Sequence, residues 1–213
     1  MKIVSVMSAS VDGRIAPHPL ADAAMRLEAH LTSPEDQEAL KQAISESDAV
    51  VIGARSIVAD GTIPEWPGPG GKVPPWYLLT RTDVPDNLPF WRQTAIPRVI
   101  VSPQPQALPK HEGRVTNLVC GAENPAAFLA DHLRSQGLRQ VLLLGGGMIN
   151  HLFFAAGLVD FLRLTVSPVI IGQFQAPRLV DPPLPQTIQL SLTSSHHKGS
   201  HVFLNYQVHN KGR

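Results

Sequence analysis

Short apolar runs rich in Val, Ile and Leu recur along the chain, and they constrain its fold more than any other feature. Several runs are continuous rather than alternating, which is typical of strands covered on both faces. The pattern predicts strands at residues 3–7, 49–52, 98–101, 115–119, 140–144, 161–166 and 202–208. The last two of these alternate polar and apolar residues, which favours an antiparallel edge of the sheet.

Two helical patterns with well-placed capping residues lie between these runs. Ser33 followed by Pro34 predicts the start of one helix, and Asn124 followed by Pro125 predicts the start of another, which ends at Gly137. Strand, helix and strand in this order predict right-handed crossovers in a largely parallel sheet. The sequence therefore predicts an α/β protein whose mixed, mostly parallel central sheet is flanked by helices.

The proline-rich segment 61–97, with PGPGGKVPP at its centre, interrupts this regular pattern. Proline removes a backbone donor, so we expect neither a continuous helix nor a central strand there. Strand-like sequence flanks the segment on both sides. It is therefore predicted to be a long surface insertion, a functional lid or a loosely ordered loop, within a single domain spanning 1–213.

Charge and hydropathy exclude several classes of partner. Lys and Arg number 18 against 17 Asp and Glu, so no overall field favours nucleic acid or a membrane surface. No apolar run approaches the roughly 20 residues of a membrane span. The apolar stretch at the N-terminus is too short for a signal peptide, so the sequence predicts a cytoplasmic protein.

Cysteine and histidine give no sign of a disulfide or a metal site. The single Cys120 follows a predicted strand and is expected to be buried. His196, His197 and His201 have no nearby carboxylate or thiol to complete a set of metal ligands. We expect these histidines to lie in a polar loop between the last two strands, and we predict no bound metal.

Three consecutive glycines, Gly145, Gly146 and Gly147, form the whole connection between a predicted strand and a helix that begins near Met148. A turn without Cβ atoms lets a ligand approach the backbone, and the first amides of the helix would then bind a phosphate. The Rossmann pattern G-x-G-x-x-G fits poorly, because Asn150 occupies its third glycine position. Tight packing between strand and helix is the alternative explanation.

Two further strand ends carry polar or glycine residues. After the strand at 49–52, Gly53 precedes Arg55 and Ser56, and a short helix started by Ser56 would offer amides and a hydroxyl to a phosphate. An exposed surface charge is the alternative interpretation of Arg55. Asp12 follows the first strand in what is otherwise an ordinary turn. Since ligands of open parallel sheets bind beyond the carboxyl ends of strands, we expect these segments to converge on one rim.

Taken together, the segments VDGRIA, DAVVIGARSIVADG and LLLGGGMINHLFFAAGLVDFLRLTVSPVIIG resemble the C-terminal reductase domain of RibD, a family with the dihydrofolate reductase fold. The resemblance runs from about residue 2 to residue 206. It implies a sheet with an antiparallel C-terminal edge that binds NADPH at its carboxyl rim. It also implies a homodimer, for which the Phe153 and Phe154 region or the last strands would supply an apolar patch.

The resemblance also implies a set of cofactor-binding residues. In this family the glycine turn and the following helix hold the diphosphate, a role that falls on Gly145, Gly146, Gly147, Met148, Ile149 and Asn150. The family pattern V-G-x-x-T-V-x-x-D matches Gly53, Ser56 and Asp60, with serine replacing threonine. Ser102 lies where the family contacts the adenosine side. Arg55 and Ser56 support binding of the 2′-phosphate of NADPH.

On the substrate side the chain departs from the family pattern. Leu144 replaces the usual acidic residue before the glycines. Ile44 replaces a basic residue of the first helix, for which Lys41 is the possible substitute, and His30 replaces the usual tryptophan. Arg81, in the sequence LLTR, matches the arginine that grips the substrate phosphate, a task suited to a forked guanidinium.

The family activity is reduction of 5-amino-6-(5-phosphoribosylamino)uracil in riboflavin synthesis, in which NADPH delivers hydride to C1 of the ring-opened ribose. Asp12 matches the acidic residue of the family's S-x-D-G motif, and we expect it to orient the substrate or to supply a proton. A proton donor at neutral pH would need a raised pKa. The alternatives are a reductase of the same fold acting on a different heterocycle or carbonyl, and a non-catalytic nucleotide-binding protein.

Overall fold

The computed structural model describes residues 1–108 and 114–210, which build one nine-stranded sheet with helices on both faces. The strands are β1 (Lys2–Ser10), β2 (Ala49–Gly53), β3 (Trp76–Leu79), β4 (Arg98–Ser102), β5 (Val115–Val119), β6 (Gln140–Leu143), β7 (Phe161–Ser167), β8 (Gln189–Lys198) and β9 (His201–His209). The α-helices are α1 (Ala23–Glu28), α2 (Pro34–Ser45), α3 (Ala54–Asp60), α4 (Pro125–Ser135) and α5 (Gly147–Ala155). Two 3₁₀ turns, Pro69–Gly71 and Pro89–Arg92, complete these elements.

The sheet has the predicted mixed topology. Its strand order is β5-β4-β3-β2-β6-β1-β7-β9-β8, and every pairing from β5 to β7 is parallel. β9 runs antiparallel to β7, and β8 runs antiparallel to β9. The antiparallel C-terminal edge is thus confirmed, although the outermost strand is β8 rather than either of the two strands expected there.

Helices α2 and α4 begin at the positions that their capping residues predict. The Ser33 hydroxyl accepts a hydrogen bond from the Asp36 amide at the start of α2, at 3.2 Å. The Asn124 side chain accepts from the amides of Ala126 and Ala127 at the start of α4. α3 differs from prediction, because its N-cap is Gly53 and Ser56 lies within its first turn rather than starting the helix.

Both faces of the central strands are buried, which explains their continuous apolar sequence. In β2, Val51 packs into a core formed with α4 and α5, whereas Val50 and Ile52 pack into a second core on the opposite face. In β6, Leu143 and Leu142 divide between the two cores in the same way. A strand covered on both faces has no polar position to show an alternation.

The prediction of a surface insertion over 61–97 is wrong for much of that segment. Residues 76–79 form β3, a central strand between β2 and β4 in which all four side chains are buried. Elsewhere in the segment Ile63, Phe90, Trp91 and Ile96 are buried in the second core. The prolines flank β3 without entering it, so the composition of the whole segment concealed a strand of four apolar residues.

The polar loop expected around the three histidines is instead part of a β-hairpin at the sheet edge. His196 and His197 belong to β8, and His201 begins β9, so only the turn between them is a loop. All ten residues of β8 are exposed, and its apolar alternation is limited to Leu190 and Leu192, which is too short to predict a ten-residue strand. No group of three or more potential metal ligands occurs among the described residues.

Three further expectations concern buried residues and membrane-spanning helices. Cys120 is free and 4% exposed, as predicted. Phe153 and Phe154 are buried in the first core, so they supply no apolar surface patch, contrary to one expectation for a dimer. Within residues 1–108 and 114–210, no helix has the length and apolarity needed to cross a membrane.

The buried role of segment 61–97 can be tested with Ile96→Ala. Ile96 is fully buried, so we expect a loss of about 2–5 kcal/mol in the free energy of unfolding, measured by denaturant titration. Ile170→Ala is the matched control, because Ile170 is 75% exposed and should change stability by about 0.5 kcal/mol or less. Equal, small effects of the two changes would contradict the core assignment.

Candidate functional site

The carboxyl ends of β2, β6 and β1 lie side by side in the sheet, so the three segments singled out in the sequence meet at one rim. The Gly53 amide donates to the Gly145 carbonyl at 3.3 Å, and the Leu144 amide donates to the Val51 carbonyl at 2.9 Å. The start of α3 therefore contacts the glycine turn directly. The turn after β1, which contains Asp12, follows on the other side of β6.

The three consecutive glycines are required for different reasons. A Cβ on Gly145 would lie 2.5 Å from the Met7 sulfur, and a Cβ on Gly147 would lie 2.5 Å from the Arg178 carbonyl oxygen. Gly146 has a φ of 38° and faces open space, with the Ser56 hydroxyl 3.9 Å from its added Cβ. Tight packing therefore explains why Gly145 and Gly147 have no side chain, whereas at Gly146 the open side is free for a ligand.

The first amides of α5 follow Gly146 directly. Helix geometry leaves the amides of Gly147, Met148 and Ile149 without carbonyl partners inside the helix, and no other carbonyl of the described residues accepts from them. The first bond within the helix is from the Asn150 amide to the Gly146 carbonyl, at 3.0 Å. This arrangement suits a phosphate, which would accept from several amides at the positive end of the helix dipole.

The side chains of α5 near this opening serve different purposes. Ile149 is 5% exposed and packs against Gly53, whereas Met148 is 42% exposed. The buried Asn150 amide group donates to the Leu179 carbonyl at 2.7 Å and accepts from the Ser5 hydroxyl at 3.3 Å. Asn150 thus holds the segment 178–181 against the glycine turn, and its contact with a cofactor stays a prediction.

Two other predicted cofactor residues have partners inside the protein. Both carboxylate oxygens of Asp60 accept from Arg26 Nη2, at 3.1 and 3.0 Å, which joins α3 to α1. The buried Ser102 hydroxyl donates to the Gln104 carbonyl at 2.7 Å. Arg55 is exposed beside Ser56 in the first turn of α3.

Asp12 is held by donors from two segments. Its carboxylate accepts from the Ser10 hydroxyl at 2.6 Å, from the Ile171 amide at 3.0 Å and from the Gly172 amide at 2.9 Å. Arg14 Nε lies 3.9 Å away. The Ser10 hydroxyl, followed by the amides of Gly172 and Ile171, lowers the pKa of Asp12 to about 2.

Asp12 in this structure therefore lacks the raised pKa that a proton donor would need. Hydrogen bonds to the charged form outweigh the small effect of burial, so the carboxylate is ionised at neutral pH. The Asp12 carboxylate instead holds the loop that follows β7 through its hydrogen bonds to that loop. A cleft of about 540 Å³ lies beside this loop, lined among others by His18, Gln173 and the 85% exposed Phe174.

The predicted substrate residues are more dispersed. Arg81 is exposed two residues after β3, so it lies at the same carboxyl rim, whereas Lys41 is exposed on α2. Ile44 is fully buried, and Leu144 packs against the same second core. An acidic residue at position 144 or a basic one at position 44 would therefore meet apolar surroundings in this chain.

The segment 176–181 is the part of the site that the sequence did not reveal. The Ile15 amide donates to the Pro177 carbonyl at 2.9 Å, and the Asp181 amide donates to the Gly147 carbonyl at 3.1 Å. The segment thus joins the turn after β1 to the glycine turn. Its irregular, proline-containing sequence has no periodicity, and only the absence of side chains at the glycines hinted that something packs there.

Comparisons with known proteins agree on one family. The model of the RibD C-terminal domain matches residues 1–204. The chain is 23% identical over 221 residues to the 2,5-diamino-6-ribosylamino-4(3H)-pyrimidinone 5′-phosphate reductase of Methanothermobacter thermautotrophicus, covering 90% of this chain and 98% of that relative. The reductase of the same name from Archaeoglobus fulgidus is 24% identical over 189 residues, covering 82% and 84%.

Among solved structures, the chain resembles a pyrimidine reductase-like protein from Corynebacterium diphtheriae, with a TM-score of 0.69 and 19% identity. The match covers 97% of this chain and 91% of that one. At this identity the likeness establishes the fold.

The anchoring of Asp12 can be tested with Asp12→Asn. The pKa is about 2 in the folded protein against an ordinary 3.8, so the carboxylate's contribution to stability is complete above about pH 4 and is lost as the pH falls toward 2. We expect the melting temperature of the wild type to exceed that of the variant at neutral pH, and the difference to shrink in acid.

Asp131→Asn is the control for this titration, because the Asp131 side chain is 76% exposed in a surface ion pair that contributes little to stability. A difference between wild type and Asp12→Asn that persists unchanged down to about pH 2 would show that these donors do not hold the Asp12 carboxylate.

Proposed function

Because the chain belongs to the RibD C-terminal domain family and has its dihydrofolate reductase-like fold, we propose that it is an NADPH-dependent reductase of riboflavin biosynthesis. Its substrate would be an aminopyrimidine ribosyl phosphate, reduced at the ribosyl C1. The observation that carries this proposal is the open backbone at Gly146, which immediately precedes the unpaired amides of α5 and lies near the Ser56 hydroxyl. The names of the two archaeal relatives support the same substrate class.

The residues at the rim fit a dinucleotide. The amides of Gly147 and Met148 would bind its diphosphate, and the Ser56 hydroxyl beside Gly146 would donate to the same group. The exposed guanidinium of Arg55 is suited to the 2′-phosphate that distinguishes NADPH from NADH. When bound, NADPH supplies the hydride, and the protein supplies position and electrostatics.

On the substrate side, Arg81 would bind the substrate phosphate, since it is exposed at the carboxyl rim and its fork matches phosphate oxygens. Asp12 acts as a positioning residue, because its carboxylate is ionised and its oxygens accept from Ser10, Ile171 and Gly172. It fixes the loop that lines one side of the cleft.

A second candidate function is favoured by a specific observation. Ile44 is buried in the second core and Leu144 packs against it, at two positions where the family usually carries charged residues. A reductase of the same fold acting on a different heterocycle or carbonyl would not need those charges. Such an enzyme would bind NADPH in the same way and would fail to turn over the aminopyrimidine ribosyl phosphates.

The cytoplasmic location and the homodimer stay predictions. For the homodimer the last strands remain the available surface, because Leu190 and Leu192 of β8 are 40% and 54% exposed. A sheet edge with unpaired backbone groups is a ready site for pairing with another chain. Sedimentation equilibrium would decide between monomer and dimer.

Gly146→Ala tests the cofactor site. A methyl group there would occupy the space beside the Ser56 hydroxyl, and we expect the Kd for NADPH to rise by at least about tenfold, measured by calorimetric titration. Gly199→Ala is the control for backbone strain, because Gly199 also has positive φ, at 55°, but lies in the turn between β8 and β9. Equal NADPH affinity of the two variants would contradict the proposal.

The activity itself is tested by following NADPH absorbance with 5-amino-6-(5-phosphoribosylamino)uracil and, separately, with 2,5-diamino-6-ribosylamino-4(3H)-pyrimidinone 5′-phosphate. Turnover of either supports the proposal. Binding of NADPH without turnover of either would favour the second candidate, and no binding at all would exclude both enzymes. Binding is measured in the same preparation, so these outcomes are separable.

Arg81→Ala should raise the KM for the phosphorylated substrate by about tenfold to a hundredfold while the Kd for NADPH stays unchanged, because a charge-assisted contact to the phosphate is lost. Arg92→Ala removes an exposed arginine from the same segment and serves as the control. An unchanged KM in Arg81→Ala would remove this residue from the substrate site.

A further inference from the structure

Arg98 in β4 is a buried cation away from the proposed cofactor site. Its side chain is 1% exposed, and no carboxylate of residues 1–108 and 114–210 lies within ion-pair distance of it. A guanidinium removed from water without an anionic partner is unfavourable unless its donors are satisfied. Each of its donors must therefore be accounted for.

One end of the guanidinium is well satisfied. Nη1 donates to the Phe90 carbonyl at 2.9 Å and to the Trp91 carbonyl at 2.7 Å, and the guanidinium carbon lies 5.6 Å from the centre of the Phe90 ring. Nε and Nη2 are buried and have no partner. These two groups form one edge of the planar fork, so a single acceptor can receive both hydrogen bonds.

A third donor without a partner comes from the neighbouring strand. Trp76 in β3 is the register partner of Arg98, it is fully buried, and its indole Nε1 has no acceptor. Both side chains belong to the face of the sheet that carries Phe90. By contrast, the indole of Trp91 in the same core donates to the Pro85 carbonyl at 2.7 Å.

The surroundings of these three unpartnered donors favour an acceptor that carries negative charge. Burial lowers the pKa of Arg98, and the Glu65 carboxylate is the one group that opposes this shift. Glu65 is exposed, however, and accepts from Gln93 Nε2 at 3.0 Å. The Glu65 carboxylate thus acts on the charge of Arg98 without accepting a hydrogen bond from Nε or Nη2.

We propose that the Nε and Nη2 edge of Arg98 and the indole N–H of Trp76 bind a small monovalent anion of the size of chloride. The site lies under the segment 61–97, where Arg98 already holds the backbone of residues 90 and 91. The anion neutralises the buried guanidinium and joins β3 to β4 through side chains. It is a stabilising site, separate from the rim that carries the glycine turn.

The test is the chloride dependence of stability in the full chain, at constant ionic strength with gluconate as the replacing anion. Chloride at about one hundred times its Kd should lower the unfolding constant of the wild type roughly one hundredfold. Trp76→Phe keeps an aromatic side chain but removes the indole donor, so it should lose most of this dependence. Trp91→Phe removes an indole that already has a protein acceptor, and it should keep the dependence although its stability in gluconate falls.

Crystals soaked in bromide provide the second measurement, and an anomalous peak between Trp76 Nε1 and Arg98 Nε is expected. A water molecule at this position, with stability indifferent to chloride, would overturn the proposal. Glu65→Gln tests whether Glu65 itself is the counter-ion of Arg98. If this change destabilises the protein as much as Trp76→Phe does while chloride has no effect, Glu65 is the counter-ion and there is no anion site.

Discussion

The close contact between the glycine turn and the segment 178–181 is the interaction on which the rest of the rim depends. Gly147 has no side chain because the Arg178 carbonyl occupies that space, and the Asp181 amide donates to the Gly147 carbonyl at 3.1 Å. The Asn150 side chain closes the contact by donating to the Leu179 carbonyl at 2.7 Å. Since this packing fixes where α5 begins, it also fixes the direction of the amides that follow the open backbone at Gly146.

The segment 178–181 also contacts the turn after β1. The Leu179 amide donates to the Gly13 carbonyl at 3.2 Å, and Asp12 in that turn accepts from the amides of Ile171 and Gly172. Two stretches of sequence that carry the family resemblance, VDGRIA and SPVIIG, are thus joined by hydrogen bonds. An ionised Asp12 is what this connection requires, since a carboxylate accepts two amide hydrogen bonds more strongly than a neutral acid.

The sequence predicts most of the regular structure, because capping and apolar runs are local signals. Ser33 and Asn124 mark true helix starts, and the strand at 115–119 has its predicted bounds. β3 is hidden in the sequence because prolines surround its four apolar residues, and β8 is hidden because only Leu190 and Leu192 alternate in an otherwise polar strand. At the rim, periodicity carries no information about a hydrogen-bond partner far along the chain, so neither the low pKa of Asp12 nor the internal use of Asn150 could be read from the sequence.

A crystal structure of the complex with NADPH would show directly whether the cofactor diphosphate binds to the backbone at the start of α5. We expect diphosphate oxygens within hydrogen-bond distance of the Gly147 and Met148 amides, over the Cα of Gly146 and beside the Ser56 hydroxyl. A diphosphate bound away from the glycine turn, with these amides facing solvent, would contradict it.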